Sequence, residues 1–272
     1  MERMIKKAWF ELILSFLGIL LLFFIAAPVA KLIFGVEPKV LIDTVKEEEV
    51  YSSILLTFSA SLVATLISIL LGVPLAYLLA RKDFFGKSFV ESLIDIPVII
   101  PHTAAGIALL TVFGSRFFLG RFFSIFGIEF VGEFAGIVVA MMFVSMPFLV
   151  NEVKEGFRSI DVKLEKVARS LGSSPARTFF RVSLPLNFNH LISGSLMMWA
   201  RGLSEFGAVI ILAYHPMTAS VLIYERFTSF GLKYSSPVAA IMVITSLIVF
   251  IFLTLINRKN SIEGREKENE LD

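Results

Sequence analysis

Leu164-Glu165-Lys166-Val167-Ala168-Arg169-Ser170-Leu171-Gly172-Ser173-Ser174-Pro175-Ala176-Arg177-Thr178-Phe179-Phe180-Arg181-Val182-Ser183-Leu184-Pro185 is a polar, basic island between two long apolar stretches. Asp161, just ahead of it, is placed to cap a helix whose apolar positions Leu164, Val167, Ala168 and Leu171 recur at i, i+3, i+4 and i+7, leaving Lys163, Lys166 and Arg169 on a charged face. Gly172 follows the last periodic residue and ends that helix. Ser174 then Pro175 is an N-cap with proline at the first helical position, so a second short helix starts at once. It carries Phe179, Phe180 and Val182, with Arg177 and Arg181 one turn apart. Aromatic anchors ringed by arginine suit a protein interface. The competing reading is an amphipathic segment lying on lipid headgroups, which basic residues also favour.

The stretches on either side of the island place it beside a membrane. Hydrophobic residues make up 56% of the 272 positions, 28 of them phenylalanine, a composition that soluble domains do not have. Runs of about 20 apolar residues, enough for roughly 30 Å of hydrocarbon, fall at about 9–34, 53–80, 90–113, 134–153, 188–213 and 237–257. Six spans are expected, and the fold class is an all-α membrane protein. The first run contains Ala26, Ala27 and Pro28 but continues to Phe34, so it reads as a retained helix rather than a signal peptide. The chain divides into a first span with its outer loop (1–50), a core (51–257) and a tail (258–272), of which residues 260–272, polar and without periodicity, are expected to be unordered.

Orientation follows from Lys and Arg in alternate loops. The N-terminus, the 81–89 loop, the 154–187 loop and the tail hold 17 of the 25, the opposite loops hold 7, and Arg201 lies within a span. That bias puts both termini and the basic island in the cytoplasm. A net charge of +2 gives no reason to expect nucleic acid, and the absence of cysteine excludes disulfides and thiolate chemistry. The acidic run Glu47–Glu49 is expected only to keep an outer loop solvated.

Gly86-Lys87-Ser88 resembles the end of a phosphate-binding loop, but the first glycine of that pattern would fall at Arg81 and no strand precedes it, so nucleotide binding by this chain is not expected. Within the spans, Arg201 and Glu205 are the costly residues, about 2.5–3.5 kcal/mol each on insertion scales. They form either a self-satisfying i, i+4 pair or part of an anion path. Gly194, Gly202 and Gly207 allow close helix approach around them. Pro97 and Pro101 should bend the third span, Pro147 should kink the fourth, and His102 is either a proton or anion ligand or a hydrogen-bonded structural residue. The spacing of Val221, Leu222, Tyr224, Phe227 and Phe230, closed by Gly231, suggests a short helix at the outer surface, either touching another protein or anchoring in the interface.

The island resembles the coupling segment, or EAA loop, of membrane subunits of ATP-binding cassette importers: Glu-Ala-Ala, three residues, Gly, nine residues, Ile-x-Leu-Pro. Lys166, Val167 and Ala168 fill the triplet, Gly172 stands at the required spacing, and Val182, Ser183, Leu184 and Pro185 close it. Lys166 replaces Glu and Val167 replaces Ala, while Glu165 keeps an acid one position earlier. Asp95-x-Pro97-x-x-x-Pro101, the run Ser204–Ala208 and the run Leu222–Phe227 extend the resemblance, over about residues 50–257, to the permeases of molybdate, tungstate and sulfate importers. It implies a type I ABC importer permease with six transmembrane helices, coupling helices between the fourth and fifth, and a place in a prokaryotic plasma membrane. The implied partners are a second copy of the chain, two cytoplasmic ATPase subunits that hold the ATP and magnesium, and an external oxyanion-binding protein. The chain itself would be no enzyme and hold no cofactor or metal. Glu165, Lys166, Val167, Ala168, Gly172, Phe179, Arg181, Leu184 and Pro185 are then the ATPase-coupling residues. Arg201, Glu205, Gly207, Pro101 and His102 are the substrate pathway or gate, and Tyr224, Glu225 and Arg226 the contact with the binding protein. The same machine carrying another solute is one alternative. An ion-coupled transporter is a more distant one, disfavoured by the lack of paired intramembrane carboxylates or inverted repeats.

Overall fold

A computed structural model describes the backbone of residues 2–269 and the side chains of residues 9–255. All regular elements among them are helical. In chain order they are α1 (Glu2–Phe34), α2 (Pro38–Val45), α3 (Glu48–Arg81), α4 (Lys87–Ile99), α5 (His102–Phe113), α6 (Phe118–Ser124) and α7 (Phe134–Ser159). The basic island follows as α8 (Val162–Ser170), α9 (Pro175–Thr178), a π-helical turn (Phe179–Ser183) and α10 (Leu184–Leu186). Then come α11 (Phe188–Leu203), α12 (Gly207–Leu212), α13 (Ala219–Phe230) and α14 (Leu232–Asn269).

Among the described residues, four helices are long and apolar enough to cross a membrane: α1, α3, α7 and α14. The third expected span is not one rod, because α4 and α5 meet at 116°. Proline explains the break: Pro101 has no N–H to continue α4 and drives Ile100 into extended backbone (φ −76°, ψ 148°), after which Pro101 itself opens α5. The fifth expected span, 188–213, is likewise broken, into α11 of 16 residues and α12 of 6. By contrast α7 runs through Pro147 as one continuous helix. The tail expected to be unordered continues α14 as far as Asn269, and residues 270–272 lie outside the described residues.

The core is a packed trio of α3, α7 and α11, in which each helix touches the other two. Small residues let these helices approach closely, as they must where lipid supplies no hydrophobic force between them. Ala60, Ala64 and Ala76 of α3 are fully buried, Gly202 of α11 packs on Ser61 and Met141, and Gly156 of α7 packs on Asn187 and His190. Ser61 Oγ fixes the α3–α11 contact by donating to the Trp199 carbonyl at 2.8 Å. Most of the described apolar side chains of α1 are exposed, with Ala27, Ala30, Leu32 and Ile33 half-buried, and the helix packs on α14.

Candidate functional site

The basic island forms the bent pair its residues dictate. Asp161 Oδ1 accepts from the Lys163 amide at 2.9 Å to cap α8. Gly172 turns the chain at φ +86°, a conformation L-residues rarely adopt, and its N–H donates to the Arg169 carbonyl. Ser174 Oγ accepts from the Arg177 amide and Pro175 is the first residue of α9. Lys166, Val167, Gly172, Arg181 and Pro185 are exposed, whereas Ala168, Phe179 and Leu184 are half-buried.

Glu165 does the opposite of what a surface contact requires, being 5% exposed and turned into the bundle. Its Oε1 accepts from Arg81 Nε at 2.8 Å and Ser183 Oγ at 2.9 Å, and its Oε2 accepts from Tyr77 OH at 3.1 Å. Arg81 also donates to the Ile160 carbonyl, and the Tyr77 ring meets Phe157 and Phe179 edge-on at 5.1 and 4.9 Å. One carboxylate thus joins the end of α3 to both arms of the island. Burial pushes the Glu165 carboxyl up, but the Arg81 guanidinium, the Ser183 hydroxyl and the Tyr77 phenol outweigh it and hold the group below its ordinary value. Tyr77, Arg81 and Ser183 are not among the coupling residues expected from the sequence, although Ser183 stands inside the motif. Their only signal was an arginine closing the second span in step with an acid in the island.

The two helix breaks come together elsewhere. α5 packs on α12, with Gly207 so close that a Cβ there would stand 2.7 Å from His102 Cβ. Between them Glu205, 1% exposed, receives three donors: His102 Nδ1 at 2.9 Å and Arg201 Nη2 at 3.1 Å on Oε2, and the Ala208 amide at 2.9 Å on Oε1. Arg201 Nη2 also lies 3.0 Å from the His102 ring nitrogens, and Nη1 donates to Ser204 Oγ at 3.2 Å. A neutral imidazole satisfies both neighbours when Nδ1–H faces the carboxylate and the Nε2 lone pair faces the guanidinium. Arg201 and Glu205 therefore pair. Arg201 sits in the last turn of α11, beside the break, rather than in the middle of a span. Its side chain keeps 24% exposure while Glu205 has none, so the cation is the accessible member. Pro101, Gly207, His102, Arg201 and Glu205, 106 residues apart at the extremes, form one cluster. Chemically it is a guanidinium that an anion can reach, held by a carboxylate that an anion can replace.

At the far end of α3 lies α13, with Leu222 buried against Val50 and Val238, Val221 buried in the main core, and Tyr224, Phe227 and Phe230 exposed. Arg226 donates to Glu47 at 2.6 Å and Glu49 at 2.8 Å, so this acidic run clasps α13 and does more than solvate a loop. Tyr214 OH donates to Glu225 at 3.2 Å, and the Tyr224 ring stands 5.0 Å from Phe206, next to the Glu205 cluster. Of the expected trio, Tyr224 is exposed, and Glu225 and Arg226 are half-buried and engaged.

Residues 68–262 match the family model described as the inner membrane component of binding-protein-dependent transport systems. The chain is 43% identical to the molybdate/tungstate transport system permease protein of Thermococcus kodakarensis, over 90% of this chain and 95% of that protein. It is 48% identical to the protein of the same description from Pyrococcus furiosus, over 79% and 80%. Its fold matches a chain in the crystal structure of a bacterial ABC transporter involved in the import of the acidic polysaccharide alginate, with a TM-score of 0.73, 18% identity and coverage of 94% and 97%.

Proposed function

Because this chain belongs to the family of binding-protein-dependent transport system inner membrane components, we propose that it is the membrane-spanning permease subunit of an ATP-driven importer of molybdate and tungstate. It is a transport component and not an enzyme. The observation that carries the choice of solute is an identity above two-fifths, held over nearly the whole length of the Thermococcus permease.

In this reading α1, α3, α4 with α5, α7, α11 with α12, and α14 are the six crossings, of which the third and fifth are broken. Two copies enclose the pathway. The basic ends face the cytoplasm, where α8 to α10 receive two ATPase subunits that hold ATP and magnesium. The α13 end, with Tyr224 and Glu225 at its surface, receives an oxyanion-binding protein. ATP-driven closure of the ATPase pair draws the two α8 segments together, and the Glu165 clasp passes that displacement to α3, so the bundle alternates between inward and outward openings. The anion is met by Arg201, which exchanges Glu205 for it while His102 keeps the carboxylate from standing unpaired.

The test is uptake into vesicles containing the permease with its ATPase and binding protein. Tungstate uptake should require ATP, be competed by molybdate, and survive excess sulfate. Arg201→Ala should lower uptake at least about tenfold, the loss expected when a charged partner in a desolvated site is removed. Gly172→Pro should abolish ATP-driven uptake with membrane insertion intact. Uptake without ATP, or preference for sulfate, would overturn the proposal.

A further inference from the structure

Between Val162 and Pro185 the only carboxylate is Glu165, and the clasp with Arg81, Ser183 and Tyr77 removes it from the surface. The outward face keeps Lys163, Lys166, Arg169, Arg177 and Arg181, all exposed and none in an ion pair among the described residues. Asp161 at its edge is already occupied by the Lys163 amide. Two neighbouring cations differ from these: half-buried Lys87 pairs with Asp83, and exposed Arg158 with Glu155 and Glu91. Standing among the five free cations are Leu171 and Phe180, 84% and 65% exposed.

Resting on the reading of this segment as the ATPase docking site, we propose that the groove receiving it on the ATPase subunit has an apolar floor for Leu171 and Phe180 and a rim of carboxylates, one of which meets Lys166. The charge offered at the head of the triplet is reversed relative to the Glu-Ala-Ala pattern, so the partner's complement is reversed with it. Five unpaired cations spread over 19 positions repel one another, and each gains from an opposed anion. The shape of the face favours a protein over a headgroup layer. The bend at Gly172 and the buried clasp fix its contour, and the large apolar side chains Leu171 and Phe180 stand exposed on the two sides of that bend, as anchors for a shaped protein groove rather than one continuous apolar helix face for a lipid surface.

The experiment titrates purified permease in neutral detergent with its own ATPase subunit at 50 and 300 mM NaCl. Affinity should fall about tenfold across that range, in line with screening of surface charge at a Debye length of roughly 10 Å. Lys166→Glu should weaken binding about tenfold at low salt and flatten the salt dependence, with Lys166→Gln intermediate. Leu171→Ser should weaken binding equally at both salts. Acetylation of Lys163 and Lys166 should be blocked by the ATPase and not by vesicles of 30% anionic lipid. Salt-independent binding with Lys166→Glu behaving as the native chain would overturn the acidic rim while leaving the docking site in place. Protection by anionic vesicles alone would assign the face to lipid, and no complex at either salt would overturn the docking reading itself.

Discussion

Removing the Glu165 carboxylate should free the basic island from the bundle. Arg81 and Glu165 side chains are 7% and 6% exposed, and deleting one member of a buried pair costs about 3–5 kcal/mol because the other is left uncompensated. Arg81 keeps the Ile160 carbonyl and the site lies near the molecule's end, so about 3 kcal/mol is expected for Glu165→Ala. At roughly 1.4 kcal/mol per tenfold, backbone amides of α8 should exchange with deuterium about a hundredfold faster, while those in the middle of α3 stay unchanged. Arg81→Ala should do nearly as much alone and add little in the double variant, giving a coupling energy of about 2 kcal/mol. In assembled transporter the same variants should hydrolyse ATP but move less anion per ATP. Additive effects, or an α8 acceleration below about threefold, would refute the claim that this ion pair ties α8 to α3.

Gly207→Ala would bring a methyl group to 2.7 Å from His102 Cβ and 3.2 Å from its backbone; a thermal melt should show a loss of about 1–3 kcal/mol, together with reduced uptake. Arg226→Gln leaves Glu47 and Glu49 facing each other, and exchange of α13 amides should rise about tenfold with α8 unaffected. Because the folded Glu165 carboxyl is held below its ordinary value, its contribution is complete above the unfolded value of about 4.3 and is lost as pH falls through the lower folded one. Intrinsic-rate-corrected protection of α8 should therefore be level from pH 8 to 5 and collapse in the acid range below about 4, and Glu165→Gln should erase that transition.

Local signals were readable and distant ones were not. Asp161, Gly172, Ser174 and Pro175 act within a few residues of themselves, so the bent pair could be drawn from the chain alone. The clasp could not, because Tyr77 and Arg81 lie 88 and 84 positions before Glu165 and helical periodicity suggests that Leu164 and Val167, not the acid, face inward. A counter-charge waiting at the end of α3 overrides that preference. Pro97 and Pro101 announced a bend in the third span, and the loss of one N–H explains its place but not its 116°. The break at Ser204–Phe206 had no proline to mark it. Gly202, Ser204 and Gly207 read as packing residues, and the interruption becomes intelligible only once Glu205 is seen capping α12 and holding His102 across 103 positions. Which acid in the Glu47–Glu49 run was structural also depended on Arg226, far away in sequence.

The long helix α3 is pinned by charge near both tips: Glu47 and Glu49 grip Arg226 at one extremity, and Arg81 grips Glu165 at the other. Its 34 residues span about 50 Å at 1.5 Å per residue, the full thickness of a bilayer with its headgroups. A rod bolted at both terminals is stiff against shortening and cannot absorb a thrust by unravelling its last turn. Travel imposed on one side of the membrane must emerge on the other as a slide or a tilt. In the proposed function, travel at the α8 end reaches the α13 end through this one helix.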